Sequence, residues 1–143
     1  MRTIGDFSRF LETISFSYDG VLNTSKIARE CQVGRKTVEG HISVLEDLLL
    51  SHTIPVFQKR AKRYLTSHPK LFLFDTGVFQ SLRPRGYLDK PEEVAGAALE
   101  GLVCQHLKAW VANGSEDFSL YFWGTKLGTE VDFILYGGPP SQL

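Results

Sequence analysis

Apolar side chains recur at helical spacing from the start of the chain. Phe7, Phe10, Leu11 and Ile14 fall on one face, which predicts an amphipathic helix from about Ile4 to Ser15. Tyr18-Asp19-Gly20 breaks the pattern, and Val21-Leu22-Asn23 reads as a short extended piece. Asn23 or Thr24 can cap a second helix, with Ile27 and Ala28 facing inward. Gln32-Val33-Gly34 has the length of a tight turn. A third helix follows from about Arg35 to Leu50, with Val38, Ile42, Leu45 and Leu49 as its buried stripe. A small residue at Ala28, a turn glycine and flanking apolar positions make the helix-turn-helix pattern rather than an ordinary αα-hairpin.

After Ser51 the period changes from helix to strand. Thr53–Phe57 and Arg63–Thr66 read as two strands joined by the basic turn Gln58–Lys62. A β-hairpin directly after a recognition helix is a wing, so residues 4–66 read as a winged helix. Lys70–Phe74 is a further apolar strand, Val78–Leu82 a helical turn, and the loop Arg83–Tyr87 the candidate boundary. Pro91-Glu92-Glu93 suits a helix start, with proline in the first turn and acids at the positive end of the helix dipole. That helix runs to about Ala112, with Leu99, Leu102, Val103, His106, Leu107 and Trp110 as a broad apolar face and Glu100 beside it. Tyr121-Phe122-Trp123, the turn Lys126-Leu127-Gly128 and the return Glu130–Leu135 form a hairpin. Strict alternation puts Glu130, Asp132 and Ile134 on one face of the return strand and Val131, Phe133 and Leu135 on the other.

Composition changes this picture only through the distribution of charge. The chain has 143 residues and a formal net charge of zero. Residues 51–88 nevertheless hold Lys59, Arg60, Lys62, Arg63, Lys70, Arg83 and Arg85 against the lone acid Asp75, whereas residues 89–143 are strongly acidic. A basic middle and an acidic end suggest two modules with different partners. Cys31 and Cys104 lie in no motif, which fits a reducing, cytoplasmic setting rather than a disulfide framework or zinc site. Neither a signal peptide nor a membrane-spanning run is readable, and no membrane partner is expected.

Three stretches resemble a known family. Pro69-Lys70, followed by Asp75-Thr76-Gly77, is similar to its Pro-Lys…Asp-x-Gly signature. Ala97–Val103 is similar to its glutamate-bearing helix, and Tyr121–Thr125 with Gly128–Phe133 to its Gly-x-Glu-Val-Asp-Phe hairpin. The family is the C-terminal region, domain of unknown function 4143, of prokaryotic AAA-type ATPases. The resemblance covers nearly the whole chain. It implies an α+β fold, with a winged helix-turn-helix over residues 1–82 and a partial nuclease-like domain of the PD-(D/E)XK type over 88–143. No Gly-x-x-x-x-Gly-Lys-[Ser/Thr] phosphate loop is present, so ATP binding belongs to an ATPase module outside this sequence, itself an expected partner. No Glu-x-Lys follows Asp132, so the nuclease-like half reads as incomplete.

The resemblance implies Glu100 and Asp132 as Mg²⁺ ligands, with Glu130 a third catalytic candidate. Such a site also needs a lysine to steady developing charge, and Lys126 in the turn is no substitute. Catalysis by this region is therefore not expected, and metal-dependent nuclease action is the alternative. In a helix-turn-helix the start of the second helix enters the major groove, which nominates Arg35, Lys36, Thr37 and His41 for double-stranded DNA, with Glu39 and Gly40 nearby. Lys59, Arg60, Lys62 and Arg63 on the wing would contact phosphates. A third reading is assembly: an exposed edge on the Glu130–Leu135 strand would invite a second copy. The histidines show no metal-ligand spacing, and no Cys–His arrangement is readable.

Overall fold

The computed structural model describes residues 4–58, 68–87 and 89–138. The first helix, α1 (Ile4–Ser15), buries Phe10 and Ile14 as its spacing requires. Asp19, in the left-handed backbone region at φ 56°, leads into the short strand β1 (Gly20–Val21). Asn23 caps α2 (Thr24–Cys31), its side-chain oxygen accepting from the Lys26 N–H at 3.0 Å. The turn that follows departs from expectation. Gln32, not the glycine, takes the left-handed conformation (φ 56°), while Gly34 is extended at the start of α3 (Arg35–Asp47). Val38, Ile42 and Leu45 are buried as expected. Leu49 is not: the helix stops at Asp47, Leu49 has φ 59°, and its side chain is 77% exposed.

The strands pair differently from the expected wing. β2 (Ser51–Ile54) lies antiparallel to β3 (Lys70–Leu73), and β1 pairs with the other edge of β3, giving the order β1-β3-β2. The expected return strand Arg63–Thr66 lies outside the described residues; the partner of β2 is the apolar strand after it. β2 ends before Pro55, which has no N–H for a ladder. Val56 and Phe57 run instead beside Phe122, with Phe57 N–H donating to the Phe122 carbonyl at 2.6 Å and Phe122 N–H to the Pro55 carbonyl at 3.1 Å. Those bonds join the first sheet to the hairpin β4 (Phe118–Gly124) and β5 (Glu130–Gly137).

Two helices fill the space between. Asp75 caps α4 (Thr76–Leu82), accepting from the N–H groups of Gly77 and Val78, and a Cβ at Gly77 would stand 2.8 Å from that carboxylate oxygen. The Asp-x-Gly signature is thus a helix cap and the small residue that fits beneath it. The long helix α5 (Pro91–Asn113) has the expected bounds but turns the other way. It buries Ala98, Gly101 and Cys104, whereas Leu99, Leu102, Val103 and Trp110 are 41–61% exposed and His106 is exposed too. Both faces are apolar, so periodicity alone could not choose. The small face wins because it allows close approach: the hydroxyl end of Tyr18 abuts the backbone at Gly101.

β3 stands between two clusters and all four of its residues are buried. Leu71 packs with Phe10, Ile27, Val38 and Leu45; Phe72 packs with Tyr18, Phe79, Cys104 and Phe122. Tyr18 and Phe79 stack at 3.9 Å between ring centroids. The protein is thus a mixed α+β structure with small sheets.

A Cβ at Gly101 would fall 1.5 Å from the Tyr18 hydroxyl oxygen and 2.5 Å from Cζ. That hydroxyl is buried without a hydrogen-bond partner. Gly101→Ala is expected to destabilise by about 2–3 kcal/mol in urea unfolding through overpacking. Tyr18→Phe alone should be neutral or stabilising by about 1 kcal/mol. In the Tyr18→Phe background the Gly101→Ala loss should shrink without vanishing.

Candidate functional site

Lys70 opens the most buried strand of the fold, and its side chain is only 2% exposed. Its backbone is fixed on both sides, opposite Val21 in β1 and Ile54 in β2. A buried ammonium is tolerated only where anions and hydrogen-bond acceptors replace water. Here four carboxylates do so. Nζ lies 3.2 Å from Glu100, to which it donates a hydrogen bond, 3.5 Å from Glu130, 3.6 Å from Asp19 and 3.9 Å from Asp132. The Phe122 ring covers it at 5.4 Å to the centroid. Burial acts to lower the Lys70 pKa, but Glu100, Asp19 and Glu130 outweigh it and hold the amine above its ordinary value, firmly charged. Burial, with a hydrogen bond to Glu100 and the charge beside it, pushes Asp19 up to about 8. Asp19 is therefore protonated at neutral pH, which relieves carboxylate repulsion in the cluster.

The hairpin reaches Lys70 through an irregularity. Trp123 pairs with Val131 and Tyr121 with Ile134, so two residues of β5 stand opposite Phe122 alone. Such a bulge re-aims side chains. Glu130 and Asp132 both reach Lys70, and Phe133 then packs toward the second cluster, 6.2 Å from the Phe72 ring. The strict alternation expected along this strand therefore breaks after Asp132.

The structure thus brings together the three carboxylates nominated from sequence, Glu100, Glu130 and Asp132, and adds two residues that sequence reasoning missed. A lysine does stand beside them, but it is Lys70, far upstream of the hairpin. Its signal was legible: a lysine opening an otherwise apolar strand, within a chain whose last third has surplus acid. Asp19 carried no comparable signal in its turn.

A divalent cation does not fit the cluster as it stands. Mg²⁺ binds oxygens at about 2.0–2.1 Å in octahedral geometry. Here the carboxylates converge on a charged ammonium, and among the described residues no group of three or more histidine, cysteine or carboxylate side chains is arranged to hold a metal ion. No metal-dependent step is therefore derived from this geometry.

The DNA candidates scatter. Lys36 is exposed, and Arg35 is exposed but engaged with Glu39 at 2.8 Å. Thr37 is buried, at 9% exposure, and so is unavailable to a base edge. His41 is half-buried against the rings of Phe7 and Phe10, at 5.3 and 5.0 Å, where it packs α3 on α1. Lys59, Arg60, Lys62 and Arg63 lie outside the described residues.

A Cys–His pair, unreadable in the sequence, does form. His52 Nε2 lies 3.3 Å from Cys104 Sγ. Burial lowers the His52 pKa to about 4, helped by Lys108, while burial raises the Cys104 thiol to about 12. Both partners stay neutral, the opposite of an activated thiolate–imidazolium pair. Because the folded pKa of His52 lies below its unfolded value near 6.5, its contribution is present above pH 6.5 and lost as pH falls toward 4. Wild type should lose on the order of 1–2 kcal/mol over that window from this group, allowing for partial solvent access. In His52→Phe the acid limb of the stability curve, followed by urea melts, should flatten by that amount.

Comparison with protein families divides the chain between two models. A model described as domain of unknown function DUF8612 matches residues 1–89, and one described as domain of unknown function DUF4143 matches residues 95–141. The DUF4143 likeness therefore covers less than was read from the sequence, since the Pro69–Gly77 motif falls in the other match. Asp19 and Lys70 come from the first matched region; Glu100, Glu130 and Asp132 come from the second. No curated protein and no solved structure matches the chain. With more than half its length matched by that model, the chain belongs to the DUF8612 family.

Proposed function

We propose that this chain is a double-stranded-DNA-binding region of winged-helix type, joined to a nuclease-like half that does not itself cut. The observation that carries this reading is topological. The order α1-β1-α2-α3-β2, then β3, with a β1-β3-β2 antiparallel sheet, supports a winged helix. In that reading the sequence between β2 and β3, which holds Lys59, Arg60, Lys62 and Arg63, would serve as the wing. The start of α3 would enter the major groove, with Lys36 and Gly40 outward and no atom within 4 Å of a Cβ placed at Gly40. Kinship with the C-terminal regions of AAA-type ATPases is supported by the DUF4143 match and by the order of the three motifs. In that setting the ATPase module is the natural partner, and DNA contact couples to it.

Binding to duplex DNA should weaken as salt rises, because phosphate neutralisation releases counterions. Lys36→Ala, and a combined Lys59→Ala, Arg60→Ala, Lys62→Ala and Arg63→Ala variant, should each bind more weakly. The salt slope should fall by roughly 1 for each phosphate contact removed. Fluorescence anisotropy with a labelled duplex measures both. Undetectable affinity at low salt, or affinity indifferent to salt, would remove the DNA reading and leave a protein-binding role for the same module.

A nuclease reading has one observation in its favour, the convergence of Glu100, Glu130 and Asp132 beside a lysine. The engagement of those oxygens by Lys70 argues against turnover. Supercoiled plasmid with Mg²⁺ or Mn²⁺ should remain intact; nicking that disappears in Asp132→Asn would establish the nuclease instead.

A further inference from the structure

We infer that the Lys70 ammonium is a built-in cation, standing where a nuclease-like site would hold its divalent metal and fastening residues 1–89 to residues 95–141 by charge. The inference concerns the carboxylate cluster alone and is independent of DNA binding.

Four observations converge. The carboxylates come from three separate parts of the chain: Asp19 in the turn before β1, Glu100 on α5, and Glu130 with Asp132 on β5. All point to one nitrogen within 3.9 Å. That nitrogen is enclosed, because the backbone of Lys70 is paired on both edges and its side chain is only 2% exposed and bonded to Glu100. A hard divalent cation would need the same oxygens, drawn in to about 2.0–2.6 Å, and would face the full repulsion of an ammonium at contact. Ammonium and metal are therefore mutually exclusive occupants.

The charges also link the two matched regions. The lysine belongs to one region and three of its four carboxylates to the other. Separated, each region would present an unbalanced charge: a buried cation on one side and an acidic surface on the other. Joined, they share a neutralised seam. Glu100, 19% exposed and nearest at 3.2 Å, carries most of the attraction, while Asp19, 15% exposed, lines the site as a neutral acid. Glu130 and Asp132, at 49% and 54%, are screened by water and act mainly to orient the hairpin.

The test uses the full chain, with Mn²⁺ as probe followed by electron paramagnetic resonance, and thermal melting as a second readout. Wild type should take up no stoichiometric Mn²⁺, and its Tm should be indifferent to Mn²⁺ or chelator. Lys70→Ala should lose on the order of 10 °C in Tm, since it leaves carboxylates unbalanced. Mn²⁺ should restore part of that loss where sodium at matched ionic strength does not. Should Lys70→Ala not fold, the Lys70→Ala, Glu130→Gln, Asp132→Asn variant should fold, because two of the charges left unbalanced are removed with the lysine and Glu100 alone remains. A merely space-filling lysine would gain nothing from those two added changes. One Mn²⁺ bound by wild type and lost in Asp132→Asn would overturn the inference. So would a Lys70→Ala protein as stable as wild type, or a triple variant no more stable than the single one.

Discussion

A charged amine at the start of a core strand constrains the whole molecule. Removing a lysine ammonium from water costs on the order of several kcal/mol even after relaxation, and only closely placed anions offset that. Lys70, like Leu71 beside it, is paired on both edges of its strand and buried. Every element that approaches this point must therefore deliver a carboxylate or an aromatic face. The turn before β1 brings Asp19, α5 brings Glu100, and the bulged β5 brings Glu130 and Asp132. β4 contributes the Phe122 ring. Protonation of Asp19 keeps this company from being too acidic: four full negative charges around one positive charge would repel each other more than they attract it.

The same strand divides the apolar core. Leu71 closes the cluster built by the three N-terminal helices, and Phe72 opens the cluster shared by α4, α5 and the hairpin. Neither cluster is complete without β3. Tyr18 strengthens the second by leaving the end of α1 to stack on Phe79 and lie against Gly101. The small face of α5 follows from this. A helix that must present Glu100 to Lys70 and pass a tyrosine at the next residue has room only for Ala98, Gly101 and Cys104 on its inner side. The larger apolar residues are left outside by geometry, not by polarity.

Much of the secondary structure was legible because it rests on local chemistry. α1, α2 and the hairpin follow from periodicity, a cap at Asn23 and the turn at Gly128, which has φ 93°. The failures have long-range causes. The pairing of β2 with β3 was not read because adjacency in sequence favours the nearer stretch Arg63–Thr66, which lies outside the described residues. The inward face of α5 was misread because Leu99, Leu102 and Val103 are more hydrophobic than Ala98 and Gly101, yet burial there is decided by distance of approach. Of the site, the carboxylates were found by their place in motifs. Lys70 was passed over, although it opens an otherwise apolar strand, because its partners lie on distant elements that meet only when the fold is assembled. The same holds for His52 and Cys104, 52 positions apart in sequence and in contact in space.

Why such a junction should be ionic rather than apolar is a question of specificity. Replacing a buried ion pair by well-packed apolar residues is often neutral or stabilising, so attraction alone is a poor reason for Lys70 to exist. What an apolar contact lacks is direction. A two-stranded hairpin packed on a greasy surface can slide by one residue, and each slip turns its side chains to the opposite face. Here a slip in β5 would put Val131 or Phe133 against the ammonium and expose it without an anion. The bulge opposite Phe122 lets Glu130 and Asp132 face Lys70 while Phe133 still enters the core, a combination a regular strand cannot supply. The ionic cluster thus fixes the register of the hairpin on β3, and the aromatic contacts beside it supply the adhesion.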